Sequence, residues 1–358
     1  MLKPKSHRVS KPLWFGILAV VMMMLWVFLA VWFPYHREQV AIREIEKLGG
    51  EVQTFKFGPV SSVHFYKRPI SDEDLKHLKK HFIGLPNLTS LSVVNRRVSD
   101  DGIKYLNSLS NLRSLDLNKT QISDEGIKHL SSLTNLTHLH LNNTQVGDEG
   151  IKHLSSLPNL QFLNIVNTQV SDEGMKNLGR LPNLLQLNLN NTQISDGGLK
   201  HLGGVTSLKY LYLNNTQISD EGLKHLSGLT NLEQLNLNGT QISDGGLKHL
   251  GGVTSLMYLY LNNTQISDEG MKNLGRLPNL LQLNLNNTQI SDGGLKHLGG
   301  VTSLKYLYLN NTQISDEGLK YLSSLKKLLT LSLKNTNVSE EGITKLQKEL
   351  PRLSDISY

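Results

Sequence analysis

The chain has 358 residues, no cysteine, 38% hydrophobic residues and a formal net charge of +7. Without cysteine it has no disulfide framework, no thiolate nucleophile and no cysteine-ligated zinc or iron–sulfur site. Lys3, Lys5, Arg8 and Lys11 contribute +4 in a stretch without acids, leaving +3 for everything after residue 33; the basic balance is a property of the tail and not a nucleic-acid footprint.

After the basic tail of residues 1–12, the run from Leu13 to Phe33 carries no charge. Its 21 residues, at about 1.5 Å each, predict a helix of roughly 30 Å, the thickness of a bilayer's hydrocarbon core. Trp14 and Trp32 mark its ends and Tyr35 lies just outside, where amphipathic rings favour the headgroup level. A cleaved signal peptide would have a shorter apolar region and small residues at the cleavage site; here Trp32, Phe33 and Pro34 follow Ala30. The expectation is an uncleaved membrane helix over 13–33. The basic tail places the N-terminus in the cytoplasm and everything after Pro34 across the membrane, in the periplasm or outside the cell. Residues 36–48 predict a separate short amphipathic helix with Ala41, Ile45 and Leu48 on one face, ended by Gly49-Gly50. The segment 34–56 thus reads as a juxtamembrane helix and linker.

Residues 57–84 read as a degenerate capping unit. Val63, Phe65 and Ile70 hold its apolar positions, and Ser71-Asp72 starts a helix through Leu75 and Leu78. From Leu85 to 348 the chain repeats every 24 residues, eleven times. In LPNLLQLNLNNTQISDGGLKHLGG, starting at Leu181, the Leu187-x-Leu189 alternation predicts a strand with one buried face. Ser195-Asp196 predicts a helix start, with Leu199 and Leu202 on one helical face. Units of this kind bury their faces only against neighbours, so residues 349–358, after a longer last helix stopped by Pro351, read as the C-terminal cap. Residues 171–224 recur letter for letter at 267–320, an offset of four repeats, for which a recent copying of four repeats is the simplest cause.

The pattern L-x-x-L-x-x-L-x-L-x-x-T-x-I resembles the leucine-rich repeat family, with Thr where many members have Asn. The anchored, cysteine-free T-Q-I-S-D-E-G-L subtype is similar to membrane-anchored arrays of planctomycete-like bacteria. The resemblance implies an α/β solenoid, with a curved parallel sheet inside and short helices outside, and interaction rather than catalysis. A similar repeat occurs in the substrate-receptor half of F-box ubiquitin ligases; residues 34–56 are too few for an F-box, so an adaptor of that kind is a remote alternative.

Residues n and n+24 lie side by side in such a stack, and twelve strands at about 4.8 Å give an inner arc of roughly 50 Å. The column from Thr120 to Thr336 follows each strand, where a hydroxyl can satisfy backbone groups. Asp196 and Lys200, like Asp124/Lys128 and Asp220/Lys224, stand four apart, which predicts an ion pair on the convex helix. Seven histidines, among them His77, His129 and His201, share one convex position and read as surface residues. The concave face carries His138/His140, Phe162/Asn164, Gln186/Asn188, Tyr210/Tyr212, Gln234/Asn236, Tyr258/Tyr260, Gln282/Asn284 and Tyr306/Tyr308, beside a row of asparagines from Asn190 to Asn310. Tyrosine pairs alternating with amide pairs, almost without charge, supply amphipathic area and adaptable hydrogen bonds at low entropic cost.

The expectation is a membrane-anchored binding module that recognises a protein, peptide or glycan on this face, with no nucleic acid, cofactor or metal and no catalytic residue. A structural envelope spacer without a soluble ligand is the alternative. A zinc site from Asp116, His138 and His140 lacks a fourth ligand and a general base, and stands as a minor possibility.

Overall fold

A computed structural model describes residues 11–55, 58–66, 68–94 and 96–358. The chain enters through Lys11–Val27 (α1), one π-helical turn over Phe28–Trp32, and Phe33–Lys47 (α2). From Trp14 to Lys47 these form one helix of 34 residues, with a mean hydropathy of 2.5 over its most apolar stretch. The separate helix expected over 36–48 is therefore the continuation of the apolar one. Proline has no N–H and its ring crowds the carbonyl four residues earlier; for Pro34 that carbonyl belongs to Ala30, inside the π turn, whose wider spacing accommodates it. The two halves differ in what they face. Trp14, Phe15 and Trp26 are exposed, whereas Ala41 and Ile45 are fully buried. The helix ends before Gly49, whose φ of 81° suits a residue without a Cβ.

Glu51–Thr54 (β1) then pairs antiparallel with Val60–His64 (β2), and every later strand adds in parallel and in chain order to a 14-stranded sheet. Twelve strands are the ones the repeat pattern anticipates. The other two, β1 and the final Asp355–Ser357, lack the leucine alternation and extend the sheet by backbone pairing at its ends. Between β2 and the first full repeat lies Asp72–Phe82 (α3), started by a capping box in which Ser71 and Asp74 satisfy each other's backbone N–H groups.

Register is one repeat per strand, so Leu211, Leu235, Leu259 and Leu283 are direct neighbours. Each leucine column is a buried stripe, and together they make one continuous core from Ala41 to Leu353. Apart from Ser62, Ser92 and Ser332 near its two ends, the buried polar residues among those described are the threonine column. There each hydroxyl donates to the carbonyl three residues back, as Thr240 Oγ1 does to Leu237 O at 2.6 Å. Thr240→Val is nearly isosteric and removes one buried bond. It should lower stability by about 1 kcal/mol, read from the urea midpoint with an unchanged slope.

The convex helices are joined by a ladder. Asp220 Oδ1 accepts from Ser243 N–H at 2.7 Å and its Oδ2 from the Ser243 hydroxyl at 2.5 Å. Ser243 in turn caps its own helix by accepting from Gly245 N–H. The same double bond runs from Asp72 to Ser99 and recurs up the array to Asp316 and Ser339, with Gly147 as the one serine-less rung. At the last rung the Ser339 hydroxyl, then its N–H, holds the Asp316 carboxyl below its ordinary value. This corrects the ion pair expected between Asp220 and Lys224. The aspartate faces the next repeat, and Lys224 pairs instead with Glu221 three residues before it, as Lys176 does with Glu173. The ladder also accounts for the glycine in S-D-x-G. A Cβ at Gly246 would stand 2.5 Å from Asp220 Oδ1 and 3.2 Å from its Cα.

Candidate functional site on the concave sheet

Each three-residue strand from Ser114–Asp116 to Tyr306–Tyr308 buries its middle leucine and leaves the two flanking side chains half-buried on the inner face. Parallel pairing lines up Gln186, Tyr210, Gln234, Tyr258, Gln282 and Tyr306 in one row, and Asn188, Tyr212, Asn236, Tyr260, Asn284 and Tyr308 in the other. Rings on alternate strands are therefore about 10 Å apart, with one carboxamide between them.

The hydroxyls are mostly uncommitted. Tyr210 donates to Glu233 Oε2 at 3.3 Å, and Glu233 also takes Lys209 at 2.7 Å. Among the described residues, the hydroxyls of Tyr212, Tyr258, Tyr260, Tyr306 and Tyr308 make no hydrogen bond. The contrast between Tyr210 and Tyr306 is instructive, because both lie in the duplicated segment. The neighbouring repeat supplies Glu233 to one and Leu329 to the other, so identical segments present different surfaces. Burial pushes the Tyr212 and Tyr260 hydroxyls above their ordinary value, keeping them neutral donors. Burial raises Tyr210 as well, aided by Glu233.

The amides are partly spent within the protein. Asn188, Asn236 and Asn284 each accept from the backbone N–H two residues on, at 3.2 Å. The asparagine row beside them, anticipated as part of the recognition surface, is structural at alternate positions, while the Oδ1 atoms of Asn214 and Asn262 are buried without a partner. Asn190, Asn238 and Asn286 accept from the backbone N–H of the next repeat at 2.7–2.8 Å. Gln186 reaches back to Asn164 at 3.2 Å; among the described residues the side chains of Gln234 and Gln282 find no hydrogen-bond partner.

Toward the N-terminal end the face changes character. The His138 ring stacks on Phe162 at 4.2 Å between centroids, with a ring nitrogen 2.9 Å from the Thr137 hydroxyl. Burial, then the neighbouring His140, holds His138 below its ordinary value. His140 lies 2.6 Å from the Asn164 amide, and the Asp116 carboxylate accepts from Asn118 N–H and the Ser92 hydroxyl. Asp116, His138 and His140 are thus engaged with separate partners and do not converge on a common point. Among the described residues three potential metal donors converge once, at Glu44, His77 and His81, at the other side of the N-terminal cap. The sequence signal for that cluster was a histidine pair four apart, overlooked because His77 also fits the convex column.

Models of leucine-rich repeats match residues 110–156 and 206–249 as paired copies, and 156–179, 180–203, 254–275, 276–299 and 302–323 as single repeats. Together they cover more than half of the chain. Among solved structures, an internalin from Listeria monocytogenes is similar over 81% of this chain and 89% of its own, with 25% identity and a TM-score of 0.62. A structure described as a TDR receptor is similar over 81% of this chain and 50% of its own, with 20% identity and a TM-score of 0.55, a likeness of fold alone. No curated protein matches the sequence significantly.

Proposed function

Since the chain belongs to the leucine-rich repeat family, we propose that it is a single-pass membrane-anchored binding module whose tyrosine and amide face takes up a protein ligand. The observation that carries this reading is the set of five tyrosine hydroxyls that make no hydrogen bond, on half-buried rings held in register by the parallel sheet. Such a face offers apolar area and hydrogen-bond donors at fixed spacing without paying to order them, as antibody paratopes do. The fourteen strands of the sheet span about 60 Å, enough for an interface of standard size. The near absence of charge disfavours phosphate-rich partners. No catalytic role is assigned to any residue.

The anchor in this proposal is the apolar stretch 13–33, with the array outside the cytoplasm. The full chain should stay in the membrane pellet through an alkaline carbonate wash, and a chain lacking residues 1–35 should not. Protease added to intact cells should cut the array and spare the tail. Release of the full chain by carbonate would remove the anchor from the reading. For the ligand, the array from residue 36 onward is used to select from displayed protein and peptide libraries, with glycan arrays in parallel. Protein binders that compete with one another support the proposal, and glycan binding alone would replace the ligand class. Failure of both would favour the spacer, to which the letter-for-letter duplication lends its one specific support.

A further inference from the structure

The contact between α2 and α3 joins the membrane-proximal helix to the repeat array. Ile45 from α2 and Leu75 and Leu78 from α3 are buried in the core there. On the rim of this contact stand Glu44, one residue before Ile45, and the two histidines of H-L-K-K-H. Four residues apart on α3, His77 and His81 lie on one helical face, their ring centroids 5.4 Å apart. Glu44 Oε2 is 3.0 Å from His77 Nε2. One donor atom from each of the three residues lies within 4.8 Å of the other two.

In the absence of an ion His77 and Glu44 hydrogen-bond to each other, and two features suit the cluster to a cation in place of that bond. His81 Nε2 is buried and makes no hydrogen bond, a lone pair or N–H that a folded protein seldom leaves idle. Glu44 is held ionised, its carboxyl lowered to about 2 by Lys47 and His77. Lys47 occupies Oε1, which leaves Oε2 as the single ligand atom. Burial, reinforced by Lys80, lowers His81, in the direction of the neutral imidazole that ligates metal ions. Two imidazoles and one carboxylate match the donor set of zinc-class divalent ions. Donors around a tetrahedral zinc at 2.0–2.1 Å lie roughly 3.3 Å apart, so closing the triangle needs movements of about 1 Å. The positive charges of Lys47 and Lys80 oppose the ion, which sets the expected affinity nearer micromolar than nanomolar.

We propose that Glu44, His77 and His81 form a binding site for a zinc-class divalent cation that staples the membrane-proximal helix to the first helix of the array. The site does not depend on the array having a ligand. Glu44 is eleven residues beyond Phe33, about 16 Å along the helix, so an ion there would lock the joint between anchor and array and set the direction in which the concave face points.

The test is calorimetric titration of the full chain in detergent micelles with zinc chloride, alongside metal content after dialysis and the melting temperature with and without zinc. One equivalent should bind and raise the melting temperature. His77→Gln, at an exposed position, should weaken binding at least 10-fold; the His77→Ala/His81→Ala double variant should abolish it with the thermal shift, leaving the far-ultraviolet dichroism of the array intact. His249→Ala, on the convex face of a distant repeat, should change nothing. Absence of stoichiometric binding to the parent chain, or binding undiminished in His77→Gln, would overturn the proposal.

Discussion

Replacing Asp220 with alanine should destabilise the array by about 2–4 kcal/mol, while replacing Lys224 with alanine should change stability by less than about 0.5 kcal/mol. The asymmetry follows from what each side chain touches. Asp220 accepts two charge-assisted bonds from Ser243, and hydrogen bonds to charged groups contribute about 1.5–3 kcal/mol each. Without the carboxylate, the Ser243 N–H at the start of the next helix has no intrahelical partner either. Lys224 makes only an exposed pair with Glu221, of a kind worth a few tenths of a kcal/mol. Urea unfolding of the two variants distinguishes this ladder from a convex-face ion pair, which would make their effects similar. The glycine supplies a second arm. Gly246→Ala should cost about 1–3 kcal/mol because the added methyl meets the Asp220 carboxylate. In the Asp220→Ala background most of that penalty should vanish. Additive effects across this double-mutant cycle would mean that the carboxylate is not what excludes the side chain.

The second large effect concerns recognition. Converting Tyr258 and Tyr260 together to serine should weaken a selected protein ligand at least 100-fold, with a thermal midpoint little changed. Both rings are half-buried on the face and not in the core, and their hydroxyls hold no structural bond, so truncation removes contact area and donors without leaving a buried group unpaired. Tyr210→Phe should be milder, because that hydroxyl is already engaged with Glu233. Equal losses for all three tyrosine pairs would indicate a ligand spread along the array; a loss confined to one pair would place its centre there. Unchanged affinity in the Tyr258→Ser/Tyr260→Ser variant would move the interface off this face.

How much was legible in the sequence depended on whether a feature lay within one repeat or between two. Leu187-x-Leu189, Ser195 and Leu199 lie within one, and their spacing specified strand, cap and helix directly. The stacking of n on n+24 then placed every tyrosine beside its amide. What escaped were partnerships across the repeat boundary whose chemistry has a plausible local substitute. Asp220 has Lys224 four residues away, and that pairing looks sufficient until the stack brings Ser243 N–H closer. The asparagine row looked available for a ligand because the sequence does not show that Asn190 Oδ1 meets the Asn214 N–H. Tyr210 and Tyr306 sit in identical sequence, yet differ because Glu233 and Leu329 belong to the following repeats. At the N-terminal end, the apolar run 13–33 and the amphipathic run 36–48 read as two helices, and the π turn through which one helix carries both has no mark in the sequence. Glu44 and His81 lie 37 positions apart with no periodicity to connect them, so only the packing of α2 on α3 brings them together.

The most direct test of the binding face is oxidative footprinting of the array, free and saturated with a selected protein ligand. Tyr212, Tyr258, Tyr260 and Tyr308 should lose most of their reactivity on binding. Tyr321, exposed on the convex side, should react equally in both states. Protection of Tyr321 with the concave tyrosines unchanged, in a chain shown to be saturated, would contradict the assignment of the sheet as the recognition surface.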